Sequence, residues 1–375
     1  MKVLNLIWGF TPGGVGKCFL TYCEIGRIEP RIEIVSACIN LMNTDAGIHP
    51  LIEKGVKIID IKNRLDFSWI GRLNELIEEE RPDLIFTHGF NGPVAVLLCR
   101  FFKRKHVPIV CSYHGEYHPM TKSRKFLAPF FNGMMHLIYR HFAKAVIGVS
   151  NFNLAFLRKC RVPDYKLSYV YNGVRDVCEV LPRPPGFPVL EDTTVKFLVA
   201  SRIDAIKGLV ALIDGFATVK KIGCDIALII VGDGLHKIEL ENKVKKLGLM
   251  DSVKFIGFRD DIAKWIAHCD VFCLPSFVES FPIGLIEALR AGKPSIVSDA
   301  GGIPEVVTKN EALFVKAGDA NSIASCIEKV SSDAELRTML GKSARRRFME
   351  NFTEDKMIKG VANWLMTRCI DLNSK

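Results

Sequence analysis

Alternation is the feature that most constrains the fold of this chain. Short apolar, β-branched runs recur from end to end, separated by stretches with helical periodicity such as Trp69–Glu80. In the first half the runs lie near Val3–Trp8, Ile32–Ile39, Val56–Ile61, Asp83–Thr87, Pro108–Tyr113, Ala145–Val149 and Leu167–Tyr171. In the second half they lie near Lys196–Ser201, Ile226–Val231, Val253–Gly257, Val271–Leu274, Pro294–Ser298 and Leu313–Val315. A run that is apolar on both faces has to be covered on both, and parallel strands with helices on each side achieve that. The chain has 375 residues, too many for one ordinary domain and comfortable for two. The expected fold is α/β, with two doubly wound, Rossmann-like domains facing across a cleft. Ligands in such sheets bind beyond the carboxyl ends of the strands. Prolines cluster in Leu181-Pro-Arg-Pro-Pro-Gly-Phe-Pro188, which divides the chain into residues 1–180 and 181–355. A helical pattern near Asp355–Cys369 is expected to pack back on the N-terminal domain as a closing element, residues 356–375.

Composition excludes several classes. About half the residues are apolar and a quarter charged, which is a globular balance and not a disordered one. No apolar run approaches the roughly 20 residues that span a bilayer. The opening Met1-Lys2-Val3-Leu4-Asn5-Leu6-Ile7-Trp8 has no small-residue cleavage site and reads as a first buried strand, not a signal peptide. The twelve cysteines form no Cys-x-x-Cys pair and have no histidine pair at ligand spacing beside them. They are expected to be buried free thiols in a reducing cytoplasm.

The net charge of +10 is unevenly placed. Residues 1–185 hold 25 Lys and Arg against 16 Asp and Glu, whereas the remainder is nearly balanced at 26 against 25. From Arg100 to Arg161 there are 12 basic residues and one acidic residue, Glu116. A field of one sign attracts anions: nucleic acid, an acidic membrane or a phosphorylated substrate. No nucleic-acid motif accompanies it.

Five short motifs follow strand ends. Gly13-Gly14-Val15-Gly16-Lys17 comes after the first strand, where glycines let backbone N–H groups approach a phosphate at a helix start. Thr11 and Cys18 rule out a Walker A loop, and Phe19 stands where a dinucleotide fingerprint needs its third glycine. Ser201-Arg202-Ile203-Asp204-Ala205-Ile206-Lys207-Gly208 places an arginine fork and a lysine point charge where both can reach one diphosphate. Pro275-Ser-Phe-Val-Glu279-Ser-Phe-Pro282-Ile-Gly284-Leu-Ile-Glu287 puts one carboxylate before a helix and one on its second turn, with Pro282 as the first helical residue. Each carboxylate can accept two hydrogen bonds from a sugar diol. Asp299-Ala-Gly301-Gly302-Ile-Pro-Glu305 enters a short helix, and Tyr113-His114-Gly115 ends a strand. Taken singly, each fits a plainer reading as a turn, a solvated charge or a structural histidine.

Their order is what identifies them. With Gly232-Asp233-Gly234 between the second and third motifs, the series resembles the family 4 retaining glycosyltransferases of the GT-B fold. The resemblance runs from about residue 3 to about residue 355 and is most specific between Lys196 and Val307. It implies that Arg202 and Lys207 bind a donor diphosphate, that Glu287 holds the ribose hydroxyls, and that Glu279 contacts the transferred sugar. It implies further that His114 lies near the reaction centre, that Gly14 and Gly16 approach the diphosphate, and that Gly284, Gly301 and Gly302 shape the donor pocket. Asn172-Gly173-Val174 matches the family's inter-domain crossing. The family often carries an acidic or polar residue after the second glycine of the first loop, and Val15-Gly16-Lys17 is more basic.

The resemblance also implies the chemistry. The catalytic set would be His114, Arg202, Lys207 and Glu279, serving a nucleotide-sugar co-substrate, with no cofactor and no metal. Arg202, Lys207 and a helix terminus would stabilise the departing diphosphate, and no Asp-x-Asp occurs in the chain. No acidic residue stands out as a nucleophile, and the family instead implies front-face attack with the leaving phosphate as base. Residues 120–142 mix Phe126, Phe130, Phe131, Met134, Met135, Leu137 and Ile138 with basic residues, and Phe101-Phe102-Lys103-Arg104-Lys105 is similar. Such segments suit an anionic membrane surface or a core-facing helix with a solvated basic face. The expected enzyme is a hexosyltransferase, acting in the cytoplasm or peripherally at the inner face of the cell membrane. Its first domain would bind a lipid-linked or saccharide acceptor for cell-surface polysaccharide, and its second the UDP-sugar. The alternatives are a sugar-nucleotide epimerase on the same fold, a basic nucleic-acid or membrane-binding protein, and an inactive scaffold.

Overall fold

The structure is a computed structural model. It describes residues 1–10, 13–41, 49–63, 65–89, 91–102, 107–115, 128–177 and 181–373. The chain divides into two compact units, one formed by Met1–Asn172 with Glu354–Lys375 and the other by Gly173–Thr353. The division falls inside Asn172-Gly173-Val174 and ahead of the proline-rich segment at which the sequence suggested it.

In the first unit seven parallel strands form one sheet: β1 (Lys2–Trp8), β2 (Glu33–Leu41), β3 (Lys57–Ile61), β4 (Leu84–His88), β5 (Ile109–Tyr113), β6 (Ala145–Gly148) and β7 (Leu167–Tyr169). Their order across the sheet is β3-β2-β1-β4-β5-β6-β7. In the second unit β8 (Val195–Ala200), β9 (Ile226–Val231), β10 (Val253–Gly257), β11 (Val271–Leu274), β12 (Ser295–Ser298) and β13 (Ala312–Val315) lie in the order β10-β9-β8-β11-β12-β13. Both sheets are doubly wound. In each, the chain leaves a central strand toward one edge and returns to build the other half, so the order reverses beside β1 in one unit and β8 in the other. β4, β5, β6, β9, β11 and β12 are buried at every residue. Their near-continuous apolar character follows from having helices on both faces.

Helices cover these sheets through apolar stripes. In the second unit Leu212, Ile213 and Phe216 of the helix Leu209–Lys221 pack with Phe197, Val199, Leu228 and Ile230 of the sheet. In the first unit Leu73 and Leu76 of the helix Ser68–Glu80 join Leu4, Leu6 and Ile85. The last helix, Glu354–Asn373, belongs to the first unit. Glu354 accepts a hydrogen bond from Thr21 at 3.1 Å, Asp355 pairs with Arg27 at 3.3 Å, and the Trp364 ring lies 5.8 Å from that of Phe86.

Candidate functional site

At the reversal point of a doubly wound sheet the loops after two neighbouring strands diverge and open a crevice, the usual ligand position. In the second unit that point lies between β8 and β11. Arg202 and Lys207 follow β8, and Glu279 and Glu287 follow β11.

After β8 the chain makes a single 3-10 turn, Ala205–Lys207, which Gly208 ends at φ +70° before the helix Leu209–Lys221. A Cβ on Gly208 would lie 2.1 Å from the Pro275 carbonyl oxygen, so only glycine lets the two loops press together. Phe277 N–H donates to the Ile206 carbonyl across the same seam at 2.8 Å. The result is a short ion pair between residues far apart in sequence: Lys207 Nζ lies 2.7 Å from Glu279 Oε1. Both side chains are largely enclosed, 14% and 12% exposed, which excludes a reading of either as a freely solvated surface charge. The Ser276 hydroxyl donates to the same oxygen at 2.8 Å. Arg202 stays half-exposed, with its guanidinium 3.3 Å from Asp204 Oδ2.

The loop after β12 completes the cluster. Gly301 has φ +60°, and a Cβ there would meet the Glu279 carbonyl oxygen at 2.1 Å. Gly302 N–H donates to that carbonyl at 2.8 Å. Glu279 is therefore held at both ends, its carboxylate by Lys207 and Ser276 and its backbone by Gly302. The following helix, Ile283–Arg290, starts one residue later than expected, because Pro282 is the extended residue before it and not its first residue. Gly284 sits in its first turn, and its Cβ position is 3.4 Å from the Phe272 ring and 3.5 Å from the Ala200 carbonyl. Glu287 on the second turn is buried, which a plain solvent-facing glutamate would not be. One turn on, burial lowers the Arg290 pKa while Glu287 and Asp176 pull it up.

In the first unit the residues are arranged differently. Gly13 is the extended residue before the helix Gly14–Tyr22, and no side chain caps that start. Gly14 is exposed and Gly16 is buried within the first turn. His114 follows β5 directly, half-buried, with Nε2 2.7 Å from Ser112 Oγ. Burial pushes its pKa down to about 4, so the imidazole is neutral at neutral pH. The ring of His88, at the end of β4, lies 6.3 Å away. Burial, with His114 as a lesser cause, holds His88 well below the usual histidine range. His88 Nε2 is 2.6 Å from Asn5 Oδ1, and Asn5 Nδ2 donates to Ser36 Oγ at 3.0 Å. The amide oxygen only accepts, so Nε2 of His88 carries the proton. Tyr22 stacks on the same ring at 5.2 Å. Of this cluster the sequence singled out His114 alone. Nor did it assign a role to Ser276, a serine whose only signal was its place between a strand end and Glu279.

Phe126, Glu116 and the run Lys103-Arg104-Lys105 of the basic stretch lie outside the described residues, as do the side chains of Phe101 and Phe102. Within the helix Ala128–His141, Met135, Ile138 and Tyr139 are buried, while Phe130, Leu137, Arg140 and His141 are exposed, as is Phe142 after it. The ten described cysteines are free, six buried and four partly so. Among the described residues no three of His, Cys, Asp and Glu are grouped as metal ligands, and no helix is long and apolar enough to cross a membrane.

Comparison with known proteins decides the family. Residues 187–347 match the family described as glycosyl transferases group 1, and residues 48–176 match glycosyltransferase family 4. The chain is 34% identical over 355 residues to a phosphatidyl-myo-inositol mannosyltransferase of Mycobacterium leprae, covering 90% of this chain and 89% of that one. The chain belongs to glycosyltransferase family 4. This glycosyltransferase is also 24% identical over 289 residues to the O-antigen biosynthesis glycosyltransferase WclY of Escherichia coli, 76% of this chain and 79% of that one. Anabaena Alr3699/HepE, solved with UDP and glucose, superimposes with a TM-score of 0.80 at 21% identity, over 98% of this chain and all of that one. The GT-B glycosyltransferase fold is thereby established, with two Rossmann-like sheets.

Proposed function

We propose that this glycosyltransferase is a hexosyltransferase that takes its sugar from a UDP-sugar. It delivers the sugar, with retention of configuration, to a lipid-linked or saccharide acceptor in cell-surface polysaccharide assembly. The observation that carries the donor reading is the cluster at the β8–β11 reversal point, where Arg202, Lys207, Glu279 and Glu287 follow two adjacent strands and Lys207 reaches Glu279 at 2.7 Å. Two cations after one strand and two enclosed carboxylates after its neighbour match a ligand that carries both a diphosphate and vicinal diols. Arg202 and Lys207 take the diphosphate, Glu287 the ribose hydroxyls and Glu279 the hexose. Gly284, Gly301 and Gly302 bring backbone close to the donor. Gly14 and Gly16 offer N–H groups to phosphate, and the neutral His114 offers one N–H to a sugar hydroxyl. As the glycosidic bond to the diphosphate breaks, the growing negative charge is met by Arg202, Lys207 and the start of the helix Ile283–Arg290, without a metal ion. The leaving phosphate oxygen takes the proton of the acceptor hydroxyl, which attacks from the same face.

A UDP-sugar is supported by Alr3699/HepE, a protein of the same fold solved with UDP and glucose. A lipid-linked or saccharide acceptor is supported by relatives named for phosphatidylinositol mannosylation and O-antigen biosynthesis. Exposed Phe130, Leu137 and Phe142 beside Arg140 and His141 suit peripheral contact with the anionic inner face of a membrane. The test is a donor screen that follows slow hydrolysis of UDP- and GDP-sugars with EDTA present, together with the anomeric configuration of the released sugar by NMR. Hydrolysis of a UDP-sugar with retention is expected. Failure of every nucleoside diphosphate to bind would overturn the reading.

A further inference from the structure

We propose that Ser276 is a positioning residue that keeps the Glu279 carboxylate in place when Lys207 is drawn from it to the donor's diphosphate. The inference rests on the donor-site reading of Lys207 and Glu279 above.

The geometry of one oxygen motivates it. Glu279 Oε1 accepts from both Lys207 Nζ at 2.7 Å and Ser276 Oγ at 2.8 Å. No hydrogen bond to Oε2 is formed among the described residues, which leaves that oxygen to face a sugar diol. Lys207 cannot serve both partners fully. Its ammonium is a single point charge on a flexible stem, and a diphosphate carries more negative charge than one carboxylate. As the donor arrives, Lys207 turns toward the phosphates, and Oε1 loses its charged partner within a largely enclosed site. A carboxylate in that state rotates toward whatever donor remains.

Ser276 is the donor that remains, and it is well placed to act as a fixed one. It is fully buried at the carboxyl end of β11, and its carbonyl accepts from the Ser298 hydroxyl at the end of β12. The backbone of Glu279 is already fixed by Gly302 N–H and by the close approach of Gly301. Only the side-chain torsions of Glu279 are left to decide where Oε2 points, and one hydrogen bond is enough to choose among them. A serine with a purely structural task could bond a main-chain carbonyl; this one donates to a carboxylate that Lys207 also holds.

The test compares UDP with intact UDP-glucose and UDP-N-acetylglucosamine. Titration and donor hydrolysis are measured on the full chain and on Ser276→Ala, Ser276→Cys, Glu279→Ala and the double variant Ser276→Ala/Glu279→Ala. Ser276→Ala is expected to leave UDP affinity within about twofold. It should lower UDP-sugar affinity and turnover by about tenfold, the weight of one hydrogen bond to a charged group. Ser276→Cys, a weaker donor of similar shape, should fall between the wild type and Ser276→Ala. In the Glu279→Ala background the serine change should have no further effect, since its target is gone. Equal losses for UDP and UDP-sugar, or an undiminished serine effect without Glu279, would overturn the proposal while leaving the donor site standing. If the unaltered chain binds no nucleoside diphosphate, the donor-site reading falls, and this inference with it.

Discussion

Around Glu279 in the second unit, loops after β8, β11 and β12 converge on one residue, and cation meets carboxylate beside the Ser276 hydroxyl. Around His88 in the first unit, the polar residues Asn5, Ser36, Tyr22, Ser112 and His114 form a neutral cluster on β1, β2, the end of β5 and the helix Gly14–Tyr22, with no carboxylate among them. Six strands of the first sheet repeat the order of the second, with β7 added at one edge, so topology does not account for the difference. Loop chemistry does. Gly208 and Gly301 hold positive φ and approach a neighbouring carbonyl so closely that any side chain would collide. Charged side chains from separate loops are thereby forced together. The first unit has a helix start at Gly14, with a buried His88 and a half-buried His114 kept neutral. The proposed donor site therefore rests on charge in one unit and on neutral hydrogen-bonding groups in the other.

The largest expected effect breaks or upholds that contrast directly. Lys207→Ala should lower turnover by about 10²–10³, as loss of one preorganised charge-stabilising donor does. His114→Ala, which removes a neutral group, should cost about tenfold at most. Steady-state donor hydrolysis measures both, and a His114 loss as large as the Lys207 loss would erase the distinction. Next in size, Glu287→Ala should weaken nucleoside diphosphate binding by about tenfold or more, read by titration, since a buried carboxylate gives strong hydrogen bonds to a diol. Unchanged affinity would remove Glu287 from the donor site.

The smallest effect concerns the first unit alone. An unfolded histidine takes its proton near pH 6.5, whereas His114 takes it at about 4 and burial holds His88 well below the usual histidine range. Between those values the unfolded state binds more protons. Stability is therefore fully present above about pH 6.5 and is lost as pH falls toward 4, by on the order of 2 kcal/mol. Hydrogen exchange resolved along the chain at pH 7 and pH 5 should show the loss in the first unit. His88→Gln, which cannot titrate, should reduce it. An unaltered acid limb in that variant would remove His88 as its cause.

Much of the fold was legible in the sequence. Each of the thirteen apolar runs corresponds to a strand, because a segment buried on both faces has little else to become. Their ends were less legible. β2 continues through Asn40 and Leu41 because Asp60 and Ile61 of β3 are there to pair with them. β7 stops at Tyr169 at the sheet's edge, with only β6 beside it. The prolines of 182–188 mark irregular chain with a turn at Pro185-Gly186 and not missing contacts, since Phe187 is buried 5.5 Å from the Trp265 ring.

The candidate site was legible as residue types but not as partnerships. Local pattern alone determined that Arg202, Lys207 and Glu279 would stand beyond strand ends and Glu287 on the second turn of the helix that follows, because apolar periodicity and helix-start residues are short-range signals. The tertiary structure decided that Lys207 and Glu279, 72 positions apart, would share one carboxylate oxygen with Ser276. It did so because β8 and β11 become neighbours only when the chain reverses direction in the sheet, and that reversal is set by burial across the whole second unit, not by any residue near the site.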